Sequence, residues 1–175
     1  MAGMATPESR QRFTLEAKLF ASWKNPFNAE IFFSEQQHPR WSIEKGFKDL
    51  LSKKDPLDAQ GRCKSRVMRY RITSSVSNKD LYADFAKSNC TELGLEKIAF
   101  LIHNDRNTKG IHLLDPTFPN VFLVKDSDQR PWQVTIVRSH TSLCDLHVDA
   151  REYTPYGSCG SESRLFGELR HSKVV

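Results

Sequence analysis

Residues 61–72 combine a high density of positive charge with the alternation of a β-strand. Five of these twelve residues are basic, namely Arg62, Lys64, Arg66, Arg69 and Arg71. The guanidinium group of arginine is a planar fork that binds phosphate oxygens through two parallel hydrogen bonds, and its face stacks on bases. The segment therefore predicts a site for nucleic acid, with RNA or any phosphate backbone bound at low sequence specificity.

The side chains of this predicted strand divide between two faces. Tyr70 alternates with Arg69 and Arg71, so we expect Tyr70 to point into the core and the two arginines to face solvent. This orientation removes Tyr70 as a stacking platform for bases. Arg62, Lys64 and Arg66 lie at even positions, as Tyr70 does. A loop or bulge near Ser65 would separate residues 62–66 from the strand and place their basic side chains at its beginning.

The first part of the chain holds all of the excess positive charge. Residues 1–75 contain 14 Lys and Arg against 8 Asp and Glu, whereas residues 76–175 contain 12 against 13. Lys53 and Lys54 end a predicted helix just before the basic run and extend the predicted site. Two alternatives stay open, because a charged sheet edge resists aggregation and a basic surface also suits an acidic protein partner or a self-associating, coat-like module.

A second segment, the pentapeptide Gly-Ser-Cys-Gly-Ser at residues 157–161, has the residue types for nucleophilic chemistry. It resembles the nucleophile loop of the chymotrypsin-fold cysteine proteases of positive-strand RNA viruses. The resemblance implies that Cys159 attacks the substrate while backbone N–H groups bind the oxyanion, with His38 as base and Asp80 as orienting acid. The Gly-x-His of that family is absent downstream, so a cysteine hydrolase is kept as the alternative function and catalysis is not predicted.

Four further side chains could bind zinc. His140, Cys144, His147 and Cys159 follow the spacing His-x3-Cys-x2-His-x11-Cys, and two nitrogens with two sulfurs suit a tetrahedral zinc ion. On a strand, however, Cys144 and His147 are three residues apart and point to opposite faces. No metal and no other cofactor is therefore predicted.

The elements that must position these residues follow from hydrophobic periodicity. In residues 13–23 the odd positions are apolar and the even ones mostly polar, with Phe20 as the exception. Together with the next apolar run this predicts a hairpin over residues 12–33. Further predictions are helices over 42–53, 75–89 and, more briefly, 162–172, and strands over 66–73, 97–103, 111–114, 120–125, 131–138 and 142–148.

The whole pattern predicts an α+β fold. Its mostly antiparallel sheet of about seven strands, open or partly closed into a barrel, would carry two or three helices. The 175 residues suit a flexible N-terminus over 1–11, one domain over 12–150 and a loop-rich segment over 151–175. No apolar run reaches the roughly 20 residues of a membrane helix, and a signal peptide is absent, so we expect an intracellular binding protein with no transmembrane segment.

Overall fold

The computed structural model describes residues 12–23, 27–53, 63–105, 112–139 and 144–170. The α+β prediction is confirmed, because helices pack on a mixed eight-stranded sheet. No helix among the described residues is both long and apolar enough to cross a membrane. In chain order the described elements are β1 (Phe13–Trp23), α1 (Ala29–Phe32), β2 (Trp41–Ile43), α2 (Lys45–Ser52), β3 (Cys63–Ile72), β4 (Val76–Ser77), α3 (Asn78–Lys87), β5 (Cys90–Thr91), α4 (Leu95–Asp105), β6 (Asn120–Lys125), β7 (Pro131–Arg138), β8 (Leu146–Glu152), β9 (Ser158–Cys159) and β10 (Arg164–Leu169).

The main sheet has the strand order β1-β3-β10-β6-β7-β8-β2, and β5 pairs with the end of β10. Strands β6 and β10 are parallel, as are β2 and β8, while the other pairs are antiparallel. Because β1 and β2 lie at opposite edges, the sheet does not close into a barrel. Strands β4 and β9 form a separate antiparallel ribbon.

Helices α1, α2 and α4 cover one face of the main sheet, which we call the α4 face. The centre of this core is aromatic, because Phe47 of α2, Phe122 of β6 and Phe166 of β10 are completely buried. The rings of Phe122 and Phe166 stack with their centroids 4.7 Å apart. Burial of such large side chains contributes most of the stabilisation available to a domain of this size.

Helix α3 covers the opposite face, which we call the α3 face. Leu81 and Phe85 of the helix pack with Ile72 of β3 and Leu165 of β10 in a second core. A Cβ atom at Gly167 would lie 2.4 Å from the Phe85 ring, so the close approach of α3 to β10 requires glycine. The helix covers only the central strands, which leaves side chains of β7, β8 and the second half of β1 partly or fully exposed on this face.

Two predicted strands are helices in the structure. The second half of the hairpin predicted over residues 12–33 is wrong, because Asn28 caps α1 by accepting a hydrogen bond from Ile31 N at 2.9 Å. The strand predicted over 97–103 is also wrong, since this run lies within α4. Leu95, Ile98 and Ile102 are buried at the three- and four-residue spacing of a helix.

The C-terminal segment is not loop-rich with a short helix as predicted. Residues of β10 lie between β3 and β6 near the middle of the sheet. Leu165 belongs to the core of the α3 face and Phe166 to that of the α4 face. A strand covered on both faces needs consecutive apolar residues, and this requirement overrides the weak helical pattern.

Other elements confirm the predictions. Helix α2 lies within residues 42–53, helix α3 lies within 75–89, and β6 and β7 form the hairpin predicted from 120–138.

The turn of that hairpin is organised by Asp126. One carboxylate oxygen accepts hydrogen bonds from Asp128 N and Arg130 N, both at 2.9 Å, and the other accepts one from Trp132 Nε1 at 3.0 Å.

Candidate functional site

Strand β3, which carries the basic run, is paired on both sides. It is antiparallel to β1 and to β10, and the pairing with β1 continues without interruption from Trp23 opposite Cys63 to Ala17 opposite Arg69. Ser65 is buried opposite Ala21, so the predicted loop or bulge near Ser65 is wrong. The bulge lies instead on β1.

This bulge aims Glu16 of β1 at three arginines on the α4 face. The register shifts between Leu15 and Ala17, which leaves Glu16 as the extra residue. Its carboxylate lies 2.8 Å from Arg164 Nε and 3.4 Å from Arg69 Nε, and it lies 4.0 Å from Arg71 Nε. A bulge re-aims a side chain in this way without ending the strand.

Other acceptors complete the neutralisation of these arginines. Asp115 lies 2.8 Å from Arg164, Glu162 lies 3.9 Å from Arg71, and Arg69 donates to the carbonyl oxygens of His112 and Leu113. Only 18% of the Arg69 side chain is exposed, against 43% for Arg71. Of the two arginines that we expected to face solvent, Arg71 is partly exposed and Arg69 is largely covered. Three arginines and three carboxylates form this balanced group, which we call the Glu16 cluster: Glu16, Arg69, Arg71, Asp115, Glu162 and Arg164.

Arg66 has a different environment on the α3 face. It lies directly opposite Phe20 of the edge strand β1, and its guanidinium carbon is 5.8 Å from the centre of the Phe20 ring. Phe20 is 70% exposed, and the exposed Lys18 lies two residues before it on the same face. Among the described residues, no carboxylate forms an ion pair with Arg66 or Lys18. We call these three side chains, Lys18, Phe20 and Arg66, the Phe20 platform.

The remaining predicted residues of the basic run can be placed only in part. The backbone of Lys64 is paired opposite Ser22, two residues along β1 and β3 from the pair of Phe20 and Arg66. Arg62 lies outside the described residues.

Lys53 does not lie beside the basic strand. Its ammonium group is 4.8 Å from the centre of the Trp132 ring of β7, and its carbonyl accepts a hydrogen bond from Ser127 N at 3.2 Å. Strand β7 is three strands away from β3, roughly 14 Å at ordinary strand spacing. The predicted extension of the site by the end of α2 is therefore not realised at Lys53, and Lys54 lies outside the described residues.

A groove of about 300 Å³ lies at the other end of the α3 face, lined by β7, β8 and the β9 region. It brings Cys159 together with His147 and Asp149 in one lining. The partners implied by the protease resemblance are placed differently. His38 stacks on Trp41, with ring centroids 3.6 Å apart, and Asp80 is held by Arg12 at 3.1 Å.

The surroundings of the Cys159 thiol disfavour its thiolate form. Burial raises its pKa above the ordinary value, and the opposing hydrogen bonds from Ser163 and the backbone of Gly160 have smaller effects. Cysteine proteases need a thiolate at neutral pH, which requires a lowered pKa. The geometry thus favours a buried, protonated Cys159.

Two of the four side chains considered as zinc ligands have other partners. The Cys144 thiol donates to the carbonyl of Leu146 at 3.1 Å, and His147 Nδ1 lies 3.6 Å from a carboxylate oxygen of Glu44. His140 lies outside the described residues. Within the described residues, no three His, Cys, Asp or Glu side chains are grouped as metal ligands.

Sequence reasoning missed Lys18 and Phe20 as members of the candidate site. A signal for Phe20 was present, because it is the apolar exception on the polar parity of residues 13–23. An aromatic side chain at such a position of an edge strand lies exposed beside its cross-strand neighbour, here Arg66.

No protein-family model, curated protein or solved structure matches this chain.

Proposed function

We propose that this protein binds single-stranded nucleic acid, with little sequence preference, through the Phe20 platform. The main support for this proposal is an exposed aromatic ring beside cationic side chains that form no ion pair within the described part of the chain. Surfaces that bind single strands combine aromatic rings, on which bases stack, with positive charge that follows the phosphate backbone. The net charge of +5 supports the same partner.

The platform favours a single strand over a duplex. The ring of Phe20 offers its stacking surface only to a base that is free of its neighbours, and bases within a duplex are not free. Arg66 and Lys18 flank the ring and can each neutralise one phosphate, and the backbone position of Lys64 supplies a third candidate. Stacking tolerates every base, which accounts for low sequence specificity.

The proposal is tested by measuring the fluorescence anisotropy of a labelled single-stranded RNA or DNA at several salt concentrations. Three neutralised phosphates predict a slope of log K against log salt of about −2, since each contributes about −0.7 for single strands. Phe20→Ala should weaken binding by about 1–3 kcal/mol, which is the usual value of one stacked base, and leave the slope unchanged. Arg66→Gln should flatten the slope by about 0.7.

Matched variants elsewhere on the surface serve as controls. Tyr156→Ala removes another exposed aromatic ring, and Arg130→Gln removes another exposed charge, so both should bind like the wild type. If the wild type shows no binding at about 50 mM salt, where phosphate contacts are strong, the proposal is wrong. An acidic protein partner or self-association would then become the favoured function of this surface.

A further inference from the structure

The groove beside Cys159 has a floor, a roof and an apolar inner end. Its floor is the uncovered part of the α3 face, where Thr135 of β7 lies between Val121 of β6 and Asp149 of β8. The roof is the segment around Cys159 and Gly160. Pro119, Val121 and Cys159 are the apolar residues of the lining, so this inner end suits a small apolar group.

The outer end of the groove carries two opposite charges. Asp149 and Arg151 are two residues apart on β8 and share one face, with Arg151 Nε 3.3 Å from Asp149 Oδ2. The Arg151 side chain is 83% exposed, so its terminal nitrogens remain available to a ligand. The other Asp149 oxygen accepts a hydrogen bond from Ala150 N at 2.8 Å, which fixes the orientation of the carboxylate.

We propose that this groove binds a free α-amino acid with an aliphatic side chain. The ammonium group would contact Asp149, the carboxylate would bind Arg151, and the side chain would lie against Val121 and Cys159. An anion alone would be repelled by Asp149 and a cation alone by Arg151, whereas a zwitterion satisfies both charges. The volume of about 300 Å³ is sufficient for such a ligand.

This site is independent of the Phe20 platform. The platform lies on β1 and β3 at one end of the α3 face, whereas the groove lies on β7 and β8 at the other end. Helix α3 packs on the strands between them. The outcome for one site therefore leaves the proposal for the other unchanged.

The test compares three ligands that share the leucine side chain and differ in their charged groups, namely L-leucine, N-acetyl-L-leucine and L-leucinamide, by isothermal titration calorimetry with the full chain. Leucine should bind saturably at millimolar or lower concentration. Each of the other two lacks one charge and should bind at least about tenfold more weakly, since one charge-assisted contact is lost. Arg151→Gln should abolish the preference for leucine over leucinamide, because it removes the positive charge that is proposed to bind the leucine carboxylate.

A steric variant tests the location. A Cβ atom at Gly160 has no neighbour within 4 Å, so a side chain can be added at this position of the groove lining without a clash at its Cβ. We expect the ring of Gly160→Trp to occupy the groove and to abolish leucine binding. Ser161→Trp is its control, because Ser161 is exposed and lies outside the groove lining, and it should bind leucine normally. The absence of saturable leucine binding by the wild type would overturn the proposal. Equal binding of N-acetyl-leucine or leucinamide, or leucine binding retained by Gly160→Trp that is shown to be folded by circular dichroism, would also overturn it.

Discussion

The carboxylate of Glu16 is the shared ion-pair partner of three arginine side chains on two neighbouring strands. The Glu16 side chain is 22% exposed, and that of Arg164 beside it is only 11% exposed. Breaking one partner of a buried ion pair leaves an uncompensated charge, and the partial exposure reduces that cost. We therefore expect Glu16→Gln to lower the free energy of unfolding by about 1–3 kcal/mol in urea denaturation.

A surface ion pair provides the control for this prediction. Glu35 pairs with Lys48 at 2.9 Å, and both side chains are more than half exposed. Glu35→Gln should change the free energy of unfolding by less than about 1 kcal/mol. Equal effects of the two substitutions would show that the Glu16 cluster contributes no more than an ordinary surface pair.

Sequence reasoning at the residue scale found the arginines but not their acceptors. The alternation of β3 correctly predicted that Tyr70 points inward, and Tyr70 packs against the core of the α3 face. It could not reveal that Glu16 neutralises Arg69, because these residues are 53 positions apart and meet only through a bulge. Ion pairs between distant segments depend on strand order, which periodicity does not contain.

At the scale of elements, the packing of α3 on β10 depends on the missing side chain of Gly167. An added Cβ would lie 2.4 Å from a ring carbon of Phe85, and that ring is 2% exposed and cannot move into solvent. Gly167→Ala should therefore lower the free energy of unfolding by about 1–3 kcal/mol in chemical denaturation, as overpacked cores do.

Gly160→Ala is the matched control, because it makes the same change in chain entropy where a Cβ meets open space. It should alter stability by less than about 1 kcal/mol. If Gly167→Ala proves as stable as Gly160→Ala, α3 does not approach β10 as closely as described.

Two of the elements that sequence reasoning assigned wrongly, α4 and β10, share one property, which is burial without a clear period. The apolar run within α4 is compatible with either a helix or a buried strand, and only tertiary packing on the α4 face decides between them. In β10 the consecutive residues Leu165 and Phe166 face different cores. Such a strand lacks the alternation of apolar and polar residues by which a half-exposed strand is recognised. Strands with an exposed face, such as β7, were predicted correctly because their polar positions alternate.

At the scale of the whole molecule, buried acceptors should make stability depend on pH in acid. Burial raises the pKa of Glu92, but a hydrogen bond from Tyr82 and the charge of Lys125 together hold it below its ordinary value. Burial likewise opposes ionisation of Asp126, and the Trp132 indole and backbone amides outweigh it. An acid with a depressed pKa stabilises the fold above its unfolded pKa, and this contribution is lost as the pH falls through the folded pKa.

We therefore expect the free energy of unfolding to change little from these groups between about pH 5 and 7, and to fall below about pH 4. Urea denaturation at a series of pH values measures it. In Asp126→Asn the fall below pH 4 should be shallower, because one of these acids no longer titrates. A free energy of unfolding that increased on acidification would contradict the hydrogen bonding described for Glu92 and Asp126.

The charge asymmetry of the sequence is only partly a property of the surface. The Glu16 cluster neutralises Arg69, Arg71 and Arg164 internally, so the basic run contributes less free charge than its composition indicates. The alternation of β3 instead places Arg66 on the opposite face, where it meets Phe20. Composition predicted that this protein has a basic surface for an acidic partner. The position of that surface depends on strand pairing, which composition does not reveal.

The most direct test of the proposed nucleic-acid surface is ultraviolet cross-linking of the wild-type protein to a single-stranded oligonucleotide, with the linked peptide identified by mass spectrometry. A base stacked on the Phe20 ring is in van der Waals contact with it, so we expect cross-links within the peptide that contains β1, Phe13–Trp23. Phe20→Ala should lose them. Cross-links confined to other peptides, or undiminished in Phe20→Ala, would show that nucleic acid does not stack on Phe20.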